Sequence, residues 1–330
     1  MTISPPREMS RHLVTGCAGF LGSHLSERLV AESHEVIGVD CFTSYYARAT
    51  KELNLERLRD EPRFHLLELD LAGDSLDGLL EGVDCIFHLA AQAGVRGSFG
   101  ERFAGYVRNN VVATQRLLEQ AVLARPTAFV YASSSSVYGD AARYPTTELA
   151  ERRPVSPYGM TKVSTEELAG VYLRCFAVPA VGLRYFTAYG PRQRPDMAFS
   201  TFFSRVLAGQ PVPLNGDGRQ VRDFTFVDDV VEGTVCAARH GRAGAVYNIG
   251  GGAPVRLLDA LGLIGELTGL PVEIEPRECP LGDARRTGCD GELARTELGF
   301  DPSTELRDGL AAQLEWMLAG QHGQRRPVAA

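Results

Sequence analysis

Short apolar runs alternate with longer stretches of helical periodicity through the first 190 residues of the chain. Apolar runs of this kind are typical of buried strands, whereas apolar positions three and four residues apart are typical of a helix packed on one face. The alternation predicts an α/β fold built on a Rossmann-type, doubly wound parallel sheet. The predicted strands are His12–Val14, Glu35–Asp40, Phe64–Leu69, Cys85–Leu89, Ala128–Ala132 and Val178–Leu183, and the longest predicted helices are Phe103–Leu123 and Tyr158–Phe176.

The pattern changes beyond about Pro191, where prolines and glycines become more frequent and the apolar runs shorten. We expect residues 1–190 to form the Rossmann domain and residues 191–330 to form a smaller C-terminal α/β lobe, with later segments returning to the first domain. The elements predicted in this second part are the strands Val246–Ile249 and Val272–Ile274 and the helices Val227–His240, Leu257–Leu267 and Leu306–Leu318.

Three glycines follow the first predicted strand and open the first helix. Gly16, Gly19 and Gly22 are spaced by three, which departs from the G-x-G-x-x-G dinucleotide fingerprint. Their placement still fits a phosphate site, because glycine lets a pyrophosphate approach the backbone and the free N–H groups of a helix start attract an anion.

The second predicted strand ends in an acid, Asp40. In dinucleotide-binding folds an acid at this point takes the ribose hydroxyls of the adenosine. Its charge would repel the extra phosphate of NADP, and the next residue is Cys41 rather than an arginine. We therefore predict NAD as the cofactor.

Composition and charge narrow the function class. The chain has 330 residues, a formal net charge of −7 and no basic block, which argues against a nucleic-acid partner. Its seven cysteines are dispersed without metal-ligand spacing, so we expect reduced cysteines and no metal site. No apolar run approaches the ~20 residues that span a bilayer, and we expect a cytoplasmic protein without a membrane partner.

Ligands of doubly wound sheets bind beyond the carboxyl ends of the strands, so the residues after each strand are candidates for the site. One candidate is the serine cluster Ser133–Ser136, whose hydroxyls could assist proton transfer from a substrate. The other strand ends carry Asp70 and Leu71, Ala90 to Gln92, and Arg184 to Thr187.

Tyr158 and Lys162 are four residues apart at the start of a predicted helix, which places both side chains on one face. A tyrosine titrates near 10, so it can act as a base near neutrality only if cations favour its phenolate. Lys162 and the positive nicotinamide ring of NAD can supply that charge. We predict Tyr158 as the catalytic acid and base.

The glycine loop, the strand-end serines and the Tyr158/Lys162 pair together resemble the extended short-chain dehydrogenase/reductase family, and within it the nucleotide-sugar 4-epimerases. Counting back from Val137-Tyr138-Gly139, the family's catalytic serine or threonine falls on Ser134, with Ser133 and Ser135 as the alternatives. The cofactor contacts that the resemblance implies are Gly16, Gly19, Phe20, Leu21, Gly22, Asp40, Asp70, Leu71, Leu89, Ala90, Ala91, Gln92, Asn110, Tyr158, Lys162 and Tyr185.

Family members that are dehydratases or decarboxylases generally carry an acid just after the catalytic Ser/Thr, whereas this chain has Ser135 and Ser136 there. The chemistry is therefore expected to stop at removal and return of a hydride, which favours epimerisation. The alternatives left open are a UDP-glucose/UDP-galactose type of 4-epimerase, a dehydratase or decarboxylase, and a non-catalytic NAD-binding regulator.

Three segments are similar to those of UDP-glucuronate 4-epimerases: 40–46, 88–96 and 184–197. A uronic acid brings a carboxylate, which the planar fork of an arginine binds with two hydrogen bonds. Arg194 is the first choice for this role, assisted by Thr187, and Arg192 and Arg96 are the alternatives.

The resemblance also implies contacts to the nucleotide of a UDP-sugar. Arg222 would hold the diphosphate, and the segment from Val212 to Leu214 would lie along the uracil. A second arginine that the family carries is replaced by Pro280, for which Arg285 or Arg286 could compensate. The full set of substrate contacts implied is Arg96, Ser134, Ser135, Thr187, Arg192, Arg194, Thr201, Val212, Leu214, Arg222 and Asp283. A homodimer built from two helices per subunit is the expected assembly.

Overall fold

A computed structural model of the chain describes residues 10–279 and 282–324, with side chains as far as 319. Its centre is a parallel sheet of seven strands in the order β10-β6-β5-β4-β1-β2-β3. Strands β1 to β6 have the spatial order 3-2-1-4-5-6 of a Rossmann fold, so the predicted fold class is confirmed. The strands are β1 (Arg11–Thr15), β2 (Glu35–Asp40), β3 (Phe64–Glu68), β4 (Cys85–His88), β5 (Ala128–Ser134), β6 (Ala180–Tyr185) and, after three strands outside this sheet, β10 (Val246–Ile249).

Helices cover both faces of the central sheet, and α6, α8 and α9 pack against the smaller sheets. The α-helices of the described residues are α1 (Phe20–Ala31), α2 (Arg48–Asn54), α3 (Phe103–Tyr106), α4 (Ala113–Ala124), α5 (Pro157–Phe176), α6 (Ala198–Leu207), α7 (Val227–His240), α8 (Leu257–Thr268) and α9 (Leu306–Gln324). The predicted helix over Phe103–Leu123 is not one α-helix, because a π-helical stretch at Val107–Val112 separates α3 from α4.

Neighbouring residues of the central strands belong to opposite cores. Val14 and Phe87 pack in the core that includes Leu25 of α1 and Val230 of α7. Their chain neighbours Leu13 and Ile86 pack in the core that includes Leu117 of α4 and Tyr172 of α5. Strand side chains alternate between the two faces of a sheet, so an apolar run on each strand is what a sheet buried on both faces requires.

The second half of the chain contributes strands to the central sheet and also forms two small sheets. Strand β10 pairs with β6 in the central sheet, and helix α7 packs against β5 and β6. Two small sheets hold the strands that lie outside the central sheet. One holds β7 (Thr187–Tyr189), β9 (Val221–Phe226) and β11 (Pro254–Arg256), and the other holds β8 (Val212–Asn215) and β12 (Ile274–Arg277).

Strand β12 differs from the prediction, which placed a strand at Val272–Ile274. The structure begins it at Ile274, where backbone pairing with β8 defines it, and all four of its residues are exposed. In the part of the chain that is described, no helix combines the length and apolar character needed to cross a membrane.

Two buried histidines make stability depend on pH. Burial within the central sheet lowers the pKa of both His12 and His88 to about 3, from an ordinary value of 6.5. Between these values the unfolded chain binds more protons than the folded chain, so the free energy of unfolding decreases as the pH falls through this window. We expect each of the two histidines to cost about 2 kcal/mol at pH 5 relative to neutral pH.

The test compares denaturant unfolding at pH 5 and pH 7.5. His12→Gln should reduce the stability lost between these conditions by about 2 kcal/mol. An acid loss of the same size in His12→Gln and the unmodified protein would contradict this account of the buried histidine.

Candidate active site

A cavity of about 380 Å³ opens at the carboxyl ends of the central strands. It lies at the ends of the adjacent strands β1 and β4, between which the strand order reverses. Doubly wound sheets bind ligands at this switch point. Of the residues predicted to contact the cofactor, those that line it are Gly16, Gly19, Phe20, Leu21, Gly22, Asp40, Asp70, Leu71, Leu89, Ala90, Ala91, Gln92, Tyr158, Lys162 and Tyr185. The serine cluster, Thr187 and Arg194 line the same cavity.

The glycine turn packs tightly against the strand ends. Gly16 has a φ of +72°, and a Cβ there would lie 2.9 Å from the backbone nitrogen of Ala90. A Cβ on Gly22 would lie 2.1 Å from the carbonyl oxygen of Gly16. The N-cap of α1, Gly19, has no side-chain capping bond, so the first N–H groups of the helix remain open to an anion in the cavity.

Asp40 lies at one end of the cavity, held by the backbone. Its carboxylate accepts hydrogen bonds from the amides of Ala18 and Phe42, at 3.2 and 2.8 Å. The Nζ of Lys51 lies 3.8 Å from Asp40 Oδ1 and donates to the carbonyl of Thr43. A carboxylate fixed in this way can accept hydrogen bonds from vicinal hydroxyls.

Tyr158, Lys162 and Ser134 meet at the other end. Lys162 Nζ lies 6.0 Å from the centre of the Tyr158 ring and donates to the carbonyl of Ala132 at 2.7 Å. Burial lowers the pKa of Lys162 to about 8, although the charge of Glu166 opposes this, so the ammonium form predominates at neutral pH. Burial raises the pKa of Tyr158, while a hydrogen bond with Ser134 and the charge of Arg194 lower it.

The neighbouring serine has a different partner. Ser133 Oγ donates to Glu166 at 2.5 Å, and Arg184 holds the same carboxylate with two hydrogen bonds of 2.8 and 2.7 Å. The pair is buried, and although burial raises the pKa of Glu166, Arg184 outweighs it and lowers that pKa. Ser133 is therefore committed to Glu166, whereas Ser134 and Ser135 line the cavity and Ser134 forms a hydrogen bond with Tyr158.

Asn110, predicted to contact the cofactor, is buried and is not among the residues that line the cavity. Its amide accepts from the nitrogen of Gln92 at 2.7 Å and donates to Thr161, which joins the end of β4 to α5. Asn109, within the π-helical stretch, lines the cavity instead. The extra residue in a π turn shifts the phase of a helix, so side chains along this stretch do not follow α-helical spacing.

Arg194 lines the cavity near Tyr158 and forms a two-bond ion pair with Asp196. Its Nε and Nη2 donate to the two carboxylate oxygens, each at 3.0 Å. Tyr45 donates to the same carboxylate at 3.0 Å, and the guanidinium carbon lies 5.7 Å from the centre of the Tyr45 ring. The charge of Arg194 acts to lower the pKa of Tyr158, and both side chains line the same part of the cavity.

Arg192 does not reach this space, although the prediction kept it as an alternative. It is buried against α1, where Nη2 donates to Glu27 at 2.8 Å and Nη1 donates to the carbonyl of Asn54. Thr201 is also directed elsewhere, because its hydroxyl donates to the carbonyl of Pro195. Neither side chain is among the residues that line the cavity.

A separate charged group contains three of the predicted substrate residues. Asp283 accepts from Arg222 at 2.7 Å and from Arg96 at 3.3 Å. With its amide in the orientation that satisfies its partners, the oxygen of Asn215 accepts two further bonds from Arg96. Val95, the residue before Arg96, lines the main cavity, so this charged group lies beside the cavity.

The other residues predicted to contact the nucleotide do not line the main cavity. Val212 and Leu214 are buried in the hydrophobic core, so their side chains do not offer a surface to a base. Arg285 pairs with Asp217 at 3.4 Å, and Arg286 stacks on Tyr144. Pro280, where the family arginine is missing, lies outside the described residues.

Sequence reasoning missed two charged residues of the site. Lys51 lies on a seven-residue helix, α2, that the apolar pattern did not predict, and Asp196 lies in a loop. The signal that could have indicated Asp196 is its position two residues after Arg194, a spacing that permits a local ion pair. Among the described residues, no group of three or more His, Cys, Asp or Glu is arranged to hold a metal ion.

Comparison with known proteins places this geometry in context. The sequence model of the NAD dependent epimerase/dehydratase family matches residues 12–250. A Bacillus subtilis protein named as an uncharacterized UDP-glucose epimerase is 41% identical over 314 residues, covering 94% of this chain and 99% of its own. A probable UDP-glucuronate 4-epimerase of Rhizobium meliloti is 36% identical, covering 93% and 96% respectively.

A solved structure agrees closely in fold. The crystal structure of UDP-glucuronic acid 4-epimerase from Bacillus cereus, in complex with UDP-glucuronic acid and NAD, superimposes with a TM-score of 0.91. The two sequences are 39% identical, over 94% of this chain and 99% of that one.

Proposed function

The chain belongs to the NAD dependent epimerase/dehydratase family, and on that basis we propose that it is a 4-epimerase that interconverts UDP-glucuronate and UDP-galacturonate through a transient 4-keto sugar. One observation carries the proposal. Tyr158, Lys162 and Ser134 share a cavity with Arg194, while the positions after Ser134 carry hydroxyls and no carboxylate. The first three residues suit oxidation and reduction at a carbinol, and the arginine suits a uronic acid.

The residues at the far end of the cavity fit NAD. The uncapped start of α1 offers N–H groups to a pyrophosphate, and Asp40 offers carboxylate oxygens to the adenosine ribose. Asp40 also disfavours the additional phosphate of NADP. NAD, when bound, accepts a hydride from carbon 4 of the sugar and returns it.

The residues of the chain move the accompanying proton. Tyr158 as phenolate takes the proton of the hydroxyl group on carbon 4, and Ser134 donates a hydrogen bond to the same oxygen. Burial raises the pKa of Tyr158, and the hydrogen bond with Ser134 and the charge of Arg194 oppose that rise without cancelling it. The ammonium group of Lys162 lies 6.0 Å from the centre of the Tyr158 ring. Tyr158 returns the proton when the carbonyl at carbon 4 is reduced on its other face.

Inversion requires the sugar ring to turn over between the two hydride transfers, since the hydride returns to the opposite face of carbon 4. The nucleotide can remain bound while the ring turns, and the group formed by Arg96, Arg222 and Asp283 suits its diphosphate. Tight binding of the nucleotide with looser binding of the sugar permits this motion.

Arg194 also protects the intermediate in this proposal. Oxidation at carbon 4 of a glucuronic acid gives a β-keto acid, which loses carbon dioxide when the carboxylate bond aligns with the π system of the ketone. A carboxylate held by the guanidinium away from that alignment is retained. Glu166, which accepts a hydrogen bond from Ser133, is engaged by Arg184 and is therefore not free to divert the reaction.

A 4-epimerase of neutral UDP-hexoses is the second candidate, favoured by the name of the Bacillus subtilis relative. Incubation of the purified protein with UDP-glucuronate and, separately, with UDP-glucose distinguishes the two. We expect UDP-galacturonate from the first, without added NAD, and much slower conversion of the second. Conversion of UDP-glucose alone would favour the second candidate, and a UDP-pentose as the main product would indicate a decarboxylase.

The proposed assembly is a homodimer formed by α4 and α5. The two helices pack side by side, joined by a hydrogen bond between Tyr172 and Glu119. Exposed apolar residues lie eleven positions apart along each helix. They are Val112, the N-cap of α4, and Leu123 (77% exposed) on the first, and Met160 and Val171 on the second. Eleven residues make three helical turns, so each pair lies on one face. Sedimentation should give a dimer that Leu123→Glu with Val171→Glu converts to monomer, and a monomeric unmodified protein would contradict the proposal.

A further inference from the structure

Arg194 is already neutralised by a carboxylate of the chain itself. Asp196 binds its Nε and Nη2 edge, and the carboxylate is in turn held by Tyr45, from the loop after β2. The Asp196 side chain is 42% exposed at the rim, whereas the Arg194 side chain is only 19% exposed. A guanidinium has five N–H donors, so this pairing leaves the Nη1 side for a second carboxylate.

The ion pair with Arg194 keeps Asp196 in its ionised form. Burial raises the pKa of Asp196, but the hydrogen bond and the charge of Arg194 outweigh burial and lower that pKa. Asp196 is therefore ionised at neutral pH. A substrate carboxylate bound to the remaining side of Arg194 would meet a cation that is already shared, together with the repulsion of a second negative charge nearby.

Rotation of the sugar ring requires the substrate carboxylate to leave Arg194, and a guanidinium shared with Asp196 releases it more readily. When the ring of the keto sugar turns over, the carboxylate on carbon 5 moves to the other side of the axis through carbons 1 and 4, so it must leave Arg194 in each cycle. An unshared guanidinium in a cavity with little water would hold the carboxylate strongly, since charge pairs strengthen as the effective dielectric constant falls. Strong binding of that state would slow the turn.

We propose that Asp196 determines how strongly the site holds a uronic acid, weakening the bond between Arg194 and the substrate carboxylate so that the ring can turn. This inference rests on the proposed function, because it assumes a uronic acid substrate. In this role Asp196 acts through Arg194 and is a positioning and specificity residue. Its removal should strengthen binding and slow turnover together, which loss of a merely structural residue would not do.

The experiment replaces the charge and keeps the shape. Asp196→Asn retains an oxygen that can accept from Arg194, and we expect the Kd for UDP-glucuronate, measured by calorimetry on the NAD-loaded protein, to fall about three- to tenfold. We expect kcat to fall by a similar factor, while the Kd values for UDP and UDP-glucose stay within about twofold, because these ligands bring no carboxylate.

Two controls make the result specific. Asp196→Glu keeps the charge and should bind UDP-glucuronate like the unmodified protein, and Asp60→Asn changes an exposed acid outside the cavity and should alter nothing. Unchanged or weaker binding of UDP-glucuronate by Asp196→Asn, with UDP binding intact, would overturn the inference. Failure of the unmodified protein to epimerise UDP-glucuronate would instead overturn the proposed function, so the two failures are separable.

Discussion

Tyr158→Phe is expected to lower the rate of epimerisation of UDP-glucuronate by about a hundred- to ten-thousandfold, the usual contribution of a positioned acid and base. The variant keeps the ring, which packs edge to face against Tyr106 with centres 6.3 Å apart, and loses only the hydroxyl group. Substrate and NAD should therefore still bind. The measurement is kcat for UDP-galacturonate formation together with the Kd of UDP-glucuronate.

Tyr106→Phe is the matched control for this variant. The Tyr106 hydroxyl donates to the carbonyls of Ala93 and Gly94, so its loss affects the loop after β4 and no proton transfer. We expect a reduction of less than about tenfold, the cost of ordinary hydrogen bonds. Equal rates for Tyr158→Phe and the unmodified protein would remove Tyr158 from the mechanism.

Arg194→Ala is expected to have the second largest effect and to change the products. Loss of hydrogen bonds to a charged group costs about 1.5–3 kcal/mol, so kcat/KM for UDP-glucuronate should fall about ten- to hundredfold. The ratio of decarboxylated UDP-pentose to UDP-galacturonate should rise, because the carboxylate of the keto intermediate is no longer held out of alignment. Separation of the nucleotide-sugar products measures this ratio.

Arg96→Ala is the control for Arg194. Arg96 lies with Arg222 and Asp283, beside the cavity, and its loss should weaken UDP-glucuronate and UDP-glucose alike without changing the product ratio. An unchanged ratio in Arg194→Ala would remove the protective role of this arginine. A raised ratio in Arg96→Ala instead would assign the carboxylate to Arg96.

Most of the central sheet was predictable because its inner strands are buried on both faces. Such strands are continuous apolar runs, and β2 and β10 have the predicted bounds. In a parallel sheet all carboxyl ends meet at one edge, so knowing the strands was sufficient to predict that Asp40, Ala90 and Ser134 line one cavity.

The elements beyond residue 190 were less predictable because several of their strands contain a proline or are exposed. Strands β8, β11 and β12 each contain a proline, which is confined to edge positions in sheets and weakens an apolar pattern. Strand β12 is exposed along its whole length and is defined by its pairing with β8. The register of such a strand follows from tertiary contacts that periodicity does not encode.

The loop arginines show the same limit at the site. Arg192 and Arg194 are two residues apart with identical side chains, yet one pairs with Glu27 on α1 and the other lines the cavity. Arg192 adopts a positive φ of 62°, so the chain turns sharply there. A loop has no regular period from which the direction of a side chain can be read, and the position of Glu27, far earlier in the sequence, decides between the two arginines.

The most direct test of the central claim follows the hydrogen on carbon 4. The purified protein is incubated with UDP-glucuronate carrying deuterium at that carbon, in ordinary water and without added nucleotide, and the product is analysed by NMR. We expect UDP-galacturonate that retains the deuterium on carbon 4, because the hydride removed from one face is returned to the other. Product that has lost the deuterium to solvent, or no epimer at all, would contradict the account.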